Sequence, residues 1–345
     1  MSEFRETRER MIHPGTVALG VFLTAAMFET TATLNDRRGR TADPMVISKE
    51  NAKAEKSTIY MPGFHANGQV IGEIFEPVIL PESNFHVVSW ATSGFRHDIA
   101  KEKLVEQRRR DDGMPLYVSG SSMGIHPFAD WMLDPAFRDE MGDVHVVETD
   151  SSFYDRTDIS PKTQGAMLST RFMPPTFTPS RLFEFAMGFD DTDVTAHDPD
   201  VTDNEMKRWR LSSAKGPYGA ARHQVRYIGS KHGPQRFAEA FKGVGSFRYV
   251  SAGHDNVTDP YTSFAKYHDD LGDIAAHYID TDRPSPSHAM GPAFRRTIAK
   301  LLYYSDEELD SVPNLVRLTP RPQPPELIEI TNYDNYDEAQ WAIAS

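Results

Sequence analysis

From residue 57 onward, short apolar runs alternate with longer polar or amphipathic stretches. Thr58-Ile59-Tyr60-Met61 stops at the breaker Pro62-Gly63, and Phe85–Trp90, Leu116–Ser119, Val144–Glu148 and Phe247–Ser251 are runs of the same type. Short runs this rich in Val, Tyr and Phe predict strands buried on both faces. Between them, Ile99–Arg109 and Phe128–Leu133 are compatible with helices. Strand–helix alternation predicts an α/β fold, a mostly parallel central sheet flanked by helices. Right-handed crossovers gather the carboxyl ends of such strands at one edge, where ligands bind.

The alternation breaks between about residues 153 and 235. Phe172, Met173, Phe177, Phe183, Met187 and Phe189 fall here, interrupted by Pro174-Pro175. The expectation is a helical cap or lid insertion over an apolar pocket, against the plainer reading that these side chains only pack it onto the main domain. An acidic run follows, with Asp198-Pro199-Asp200 and Glu205. It lacks the glycine turn and terminal glutamate of a calcium loop, so a solvated acidic loop is expected. Past Val312 the chain is Pro-rich, then acidic and aromatic, which predicts an extended tail docked through Leu327, Ile328 and Trp341. The predicted organisation is an N-terminal helix and hairpin (1–50), a core (51–152 and 236–312), the insertion (153–235) and the tail (313–345).

Composition narrows the function. At 345 residues the chain can bury a full core as one large domain with an insertion. A net charge of -13 argues against a nucleic-acid partner. The one dense basic run, Arg108-Arg109-Arg110, meets Asp111-Asp112 at once and reads as a solvated helix end rather than an anion site. With no Cys, disulfides, thiolate metal sites and cysteine nucleophiles are excluded. The apolar run Thr16–Phe28 is short for a bilayer span, and Glu3, Glu6 and Glu9 interleave with the arginines before it. A packed helix leading into a hairpin (Glu29–Asn35 and Pro44–Ser48), in a cytoplasmic protein, is favoured over export or membrane anchoring. The chain has no H-E-x-x-H pair and no G-x-G-x-x-G or Walker-type loop, so no metal or nucleotide cofactor is expected.

The densest signal is Gly120-Ser121-Ser122-Met123-Gly124, a G-x-S-x-G pattern between a strand and the helical stretch Ile125–Leu133. Such a turn strains the central residue and stands its hydroxyl above the sheet edge. A serine hydroxyl needs a base to take its proton and a carboxylate to orient that base. Asp255 lies after the Phe247–Ser251 strand, and His288 in a turn before the helix-like Ala293–Tyr304. Asp259, before Pro260, competes as acid but also suits a helix N-cap. His254, His268 and His277 compete with His288. His254 is too near Asp255 along the chain to be oriented by it easily.

The order Ser122, Asp255, His288 resembles the α/β-hydrolase superfamily, whose triad runs nucleophile, acid, histidine. The resemblance spans roughly residues 55 to 304. It implies an esterase or lipase-like serine hydrolase, with Ser122 as nucleophile, Asp255 as acid and His288 as base. Tyr60-Met61-Pro62-Gly63-Phe64 lies where the superfamily places its oxyanion loop, with Pro62 in place of the usual His. Phe64 and Met123 are then the backbone oxyanion donors. Asp150, after the Val144–Glu148 run, is the other acid position the superfamily uses. His65 and His126 flank the donors, as pocket lining or as turn residues. The expected partner is a small acyl ester. Peptidase, thioesterase and haloperoxidase readings share the triad, and a non-catalytic binding protein on the fold is the rival from another class.

Overall fold

A computed structural model describes Met27 and residues 45–318, apart from 65, 91–94, 170–195, 214–217, 232, 253–254, 256, 273 and 281–287. The N-terminal apolar run but for Met27, the Phe-rich heart of the insertion and the acidic tail therefore lie outside the described residues. Among those described, no helix is long and apolar enough to cross a membrane.

The strands are β1 (Met45–Lys49), β2 (Lys56–Met61), β3 (Ser83–Ser89), β4 (Leu116–Ser121), β5 (Val144–Asp150), β6 (Ser246–Ala252), β7 (Ala275–Ile279) and β8 (Leu315–Arg317). They form one sheet in the order β1-β3-β2-β4-β5-β6-β7-β8. From β3 to β7 the pairing is parallel, and β1 and β8 run antiparallel at the edges.

Period-two alternation sends neighbouring side chains to opposite cores. Ile59, Val88, Val118, Val147 and Tyr249 join one, with Leu104, Phe128 and Phe264. Tyr60, Val87, Val146 and Val250 join the other, under Phe75 and under Ile298, Leu301 and Leu302 of the helix Arg295–Tyr303. Burial on both faces is why these strands read as continuous apolar runs.

Several expectations need correction. The sheet reaches past both predicted core boundaries, because β1 pairs with β3 and β8 pairs with β7. Edge strands are half-buried and short, so their apolar signal is weak. Arg108 is not a solvated helix end. Its guanidinium is buried and donates to the carbonyls of Met141, Asp111 and Met114, while Arg109 and Arg110 face solvent.

Within the acidic run, Asp198, Asp200 and Glu205 are not solvated either, whereas Asp203 is exposed. Asp198 accepts the N–H groups of Arg296 (2.7 Å) and Thr297 (3.3 Å), capping the Arg295–Tyr303 helix. The Arg295 guanidinium is buried against Asp200 (2.9 Å), Glu205 (2.9 Å) and the carbonyl of Ile74 (2.8 Å). Among the described residues, no group of three or more acidic or histidine side chains is placed to hold a metal ion.

The described parts of the insertion join both cores. Val201, Met206 and Trp209 pack with Phe75 and Ile298, whereas Val225 and Ile228 pack with Phe95 and Trp131. Arg295 thus ties the segment 200–205 to the helix that follows His288. Removing the buried guanidinium leaves Asp200 only Arg296 (3.0 Å) and Glu205 only Thr202 as partners, so Arg295→Met is expected to cost about 3 kcal/mol. Urea unfolding of the two proteins checks this, and equal midpoints would show that the pairing does not hold the segment.

Candidate active site

The end of β4 and the start of the helix Ile125–Met132 meet at Ser122, whose φ of 51° lies in the left-handed region. For a residue with a Cβ that conformation costs on the order of 1 kcal/mol, so the surroundings must enforce it. Two glycines make this possible by close approach. A Cβ on Gly120 would lie 2.8 Å from Ile125 Cβ, and one on Gly124 would lie 1.8 Å from the carbonyl oxygen of Met61. The elbow is therefore wedged against the end of β2, where Met61 pairs with Gly120. Gly63 completes the contact, since a Cβ there would lie 2.9 Å from Ser122 Cβ.

Three elements bring the predicted site residues together. His288 Nε2 lies 2.9 Å from Ser122 Oγ, and its Nδ1 lies 2.8 Å from Asp255 Oδ2 and 3.1 Å from Oδ1. All three residues are buried. A carboxylate only accepts, so the imidazole proton sits on Nδ1 and the Nε2 lone pair faces the serine hydroxyl. Asp255 is itself fixed. Its Oδ1 accepts the N–H groups of Val257 (2.8 Å) and Thr258 (3.0 Å), and its Oδ2 accepts the Thr258 hydroxyl (2.9 Å). That loop is laced to the segment after β5, through Ser160 N to the Val257 carbonyl and Asp259 N to the Asp158 carbonyl.

The competing candidates stand elsewhere. Asp259 caps the helix Pro260–Leu271, accepting from Tyr261 N and Thr262 N. His268 lies within that helix, partly exposed, with its ring against Phe264 and 4.0 Å from the Asp269 carboxylate. His277 is buried on β7, where burial pushes it down to about 4. Asp150 ends β5 rather than lying in a loop, and its carboxylate turns to the backbone beyond His288. Ser121, the neighbouring hydroxyl, is the last residue of β4. His65 and His254 lie outside the described residues.

His126 is structural. It is fully enclosed, stacks on Phe153 with ring centroids 4.3 Å apart, and its Nε2 lies 2.8 Å from the Phe153 carbonyl. A carbonyl only accepts, so Nε2 carries the proton of a neutral ring. A groove of about 930 Å³ lined by Arg108, Asp139, Glu140 and His145 opens at the opposite edge of the sheet, by the start of β5. Its lining mixes both charge signs, and the Ser122 chain lies at the other end of the strands.

No family model matches this sequence, and no curated protein matches it either. Solved structures are similar to it in backbone. A hydrolase from Pseudomonas aeruginosa shares 9% identity at a TM-score of 0.52, over 75% of this chain and 92% of that one. The enol-lactonase from Burkholderia xenovorans shares 11% at 0.51, over 75% and 95%. The bottromycin epimerase BotH shares 13% at 0.50, over 75% and 94%. Identities this low establish the fold alone.

The buried histidine gives a pH test. Burial pushes His126 down to about 3, against an ordinary value near 6.5 in the unfolded chain. Below pH 6.5 the unfolded state binds a proton that the folded state refuses, so stability falls as pH falls, by about 1.4 kcal/mol per unit. His126→Gln lacks this slope. Its stability deficit relative to the wild type is therefore expected to shrink by about 2 kcal/mol between pH 6.5 and pH 5, measured by urea unfolding. A constant deficit would contradict a neutral, enclosed ring.

Proposed function

We propose that this chain, which has the α/β-hydrolase fold, is a serine hydrolase that cleaves carboxylic esters through an acyl-enzyme on Ser122. One observation carries the reading: the hydrogen-bonded chain Ser122 Oγ, His288, Asp255, with the serine held in left-handed backbone at the carboxyl edge of the sheet. The fold by itself would not suffice, since an epimerase shares it.

In the proposed reaction Ser122 Oγ attacks the ester carbonyl as its proton passes to His288 Nε2. Asp255 holds the Nδ1 proton and stabilises the imidazolium. The carbonyl oxygen gains the negative charge, and the backbone N–H groups of Phe64 and Met123 are its donors. The imidazolium gives its proton to the leaving alcohol oxygen as the C–O bond breaks. Water then attacks the acyl-enzyme with His288 again as base, releasing the carboxylic acid and the free serine. Pro62, where a His is usual in this loop, does not alter the chemistry, because the donors are backbone amides.

The apolar residues supplied in sequence by the insertion favour an acyl chain over a polar peptide at the acyl side. A panel of nitrophenyl esters of graded chain length is expected to show hydrolysis without any added metal or cofactor. Ser122→Ala is expected to remove it, and Asp255→Asn to lower kcat by about 10⁴-fold by freeing the wrong imidazole tautomer. Unchanged turnover in Ser122→Ala would end the reading of Ser122 as the nucleophile. Near-normal turnover in Asp255→Asn would move the acid role elsewhere.

A further inference from the structure

The turn that carries His288 is seated on a second carboxylate that the proposed reaction does not use. Asp150 pairs in register with Ser121, one residue before the nucleophile. Its Oδ2 accepts the N–H of Gly291 at 2.7 Å, three residues beyond His288, and its Oδ1 accepts the Ser151 hydroxyl at 2.9 Å. Ser151 and Ala289 each take a φ of 53°, so non-glycine residues in left-handed backbone flank the contact on both strands of chain. Strain of this kind persists where the surroundings over-determine the turn.

Gly291 shows how tightly the turn is seated. A Cβ there would lie 3.1 Å from Tyr60 Oη, 3.3 Å from Asp150 Oδ2 and 3.3 Å from Phe75 Cζ. The turn therefore rests at once on β2, on the helix Gly68–Ile79 and on the end of β5. Asp150 is 1% exposed, and a buried carboxyl group is costly unless its oxygens are bonded. Burial pushes its carboxyl up, opposed by the Gly291 amide, the Ser151 hydroxyl and the nearby His288 ring. Its Oδ2 is bonded to backbone beyond His288, whereas the imidazole itself is bonded to Asp255. The two carboxylates thus divide the work, one on the ring and one on the turn.

We propose that Asp150 is a positioning residue: by accepting the Gly291 amide it seats the His288–Gly291 turn, and with it the imidazole, over the Ser122 elbow. The inference rests on the reading of Ser122, Asp255 and His288 as a triad. It concerns the acceptor atom rather than the charge, so an amide in the same place should serve.

The test compares full-length wild type with Asp150→Ala, Asp150→Asn and Gly291→Ala in two measurements. One is kcat and KM on a nitrophenyl ester. The other is the far-downfield proton resonance of His288 Nδ1–H, which needs no turnover. Asp150→Ala is expected to lower kcat by about 100-fold, as misplacement of a catalytic group by an ångström does, with KM within about 3-fold. Its Nδ1–H resonance should broaden into solvent exchange. Asp150→Asn, whose amide oxygen can accept from Gly291, is expected to keep kcat within about 3-fold and to keep the resonance. Gly291→Ala keeps the carboxylate but crowds the turn off it, and should reproduce the loss even if Asp150→Ala fails to fold.

Wild-type kcat and an intact resonance in Asp150→Ala would overturn the proposal. So would an Asp150→Asn as impaired as Asp150→Ala, because the charge would then be what matters. If the wild type hydrolyses no ester, the ester reading falls by itself. The resonance in the variants then still decides whether Asp150 seats the turn.

Discussion

The backbone of Ser122, forced to a φ of 51°, is the constraint on which the site depends. It turns the chain from strand to helix within one residue and leaves the hydroxyl facing His288 at 2.9 Å. The strain is held by contacts that only glycine permits, above all the approach of Gly124 to the Met61 carbonyl. Those contacts also lock the end of β2 against the elbow. The strained serine is thus held by one wedge of backbone at the ends of β2 and β4.

The long-range partners follow from sheet order. β4, β5 and β6 lie side by side and parallel, so Ser121, Asp150 and the segment after Ala252 reach the same edge. Asp255 then needs only its own turn, through Val257 and Thr258, to present an oxygen to His288. Beneath them a polar row crosses the sheet in register, from Tyr60 through Ser119 and Glu148 to Arg248. Ser119 donates to Glu148, and Arg248 reaches Asp306 and the Leu301 carbonyl, so the row is tied to the helix that follows the His288 turn. Burial and the neighbouring Asp150 push the Glu148 carboxyl well up, opposed by the Ser119 hydroxyl and the Arg248 guanidinium.

Much of this was legible in the sequence, for physical reasons that differ by element. Central strands announce themselves because both faces are apolar, and the G-x-S-x-G spacing marks a turn that few other residues can make. Asp255 and His288 could be named because chain order in this fold maps onto one edge of the sheet. What escaped notice was settled at a distance. β7, with Ala275, Ala276 and His277, has little β-branched signal, and β8 is only Leu315–Arg317. Asp198 and Asp200 looked solvated because their partners, Arg295 to Thr297, lie nearly a hundred residues away. Arg108 looked like one charge among several because its acceptors are backbone carbonyls, of Asp111 and Met114 in the turn after its own helix and of Met141, which the fold brings in from 33 residues away.

Covalent trapping reads directly whether Ser122 is an activated nucleophile. Full-length protein would be treated with a fluorophosphonate, digested, and its peptides mapped by mass spectrometry. One phosphonylated residue, Ser122, is expected, with labelling slowed when Asp255 is changed to Asn. No adduct, or an adduct carried by Ser121 or any other residue in place of Ser122, would contradict that role.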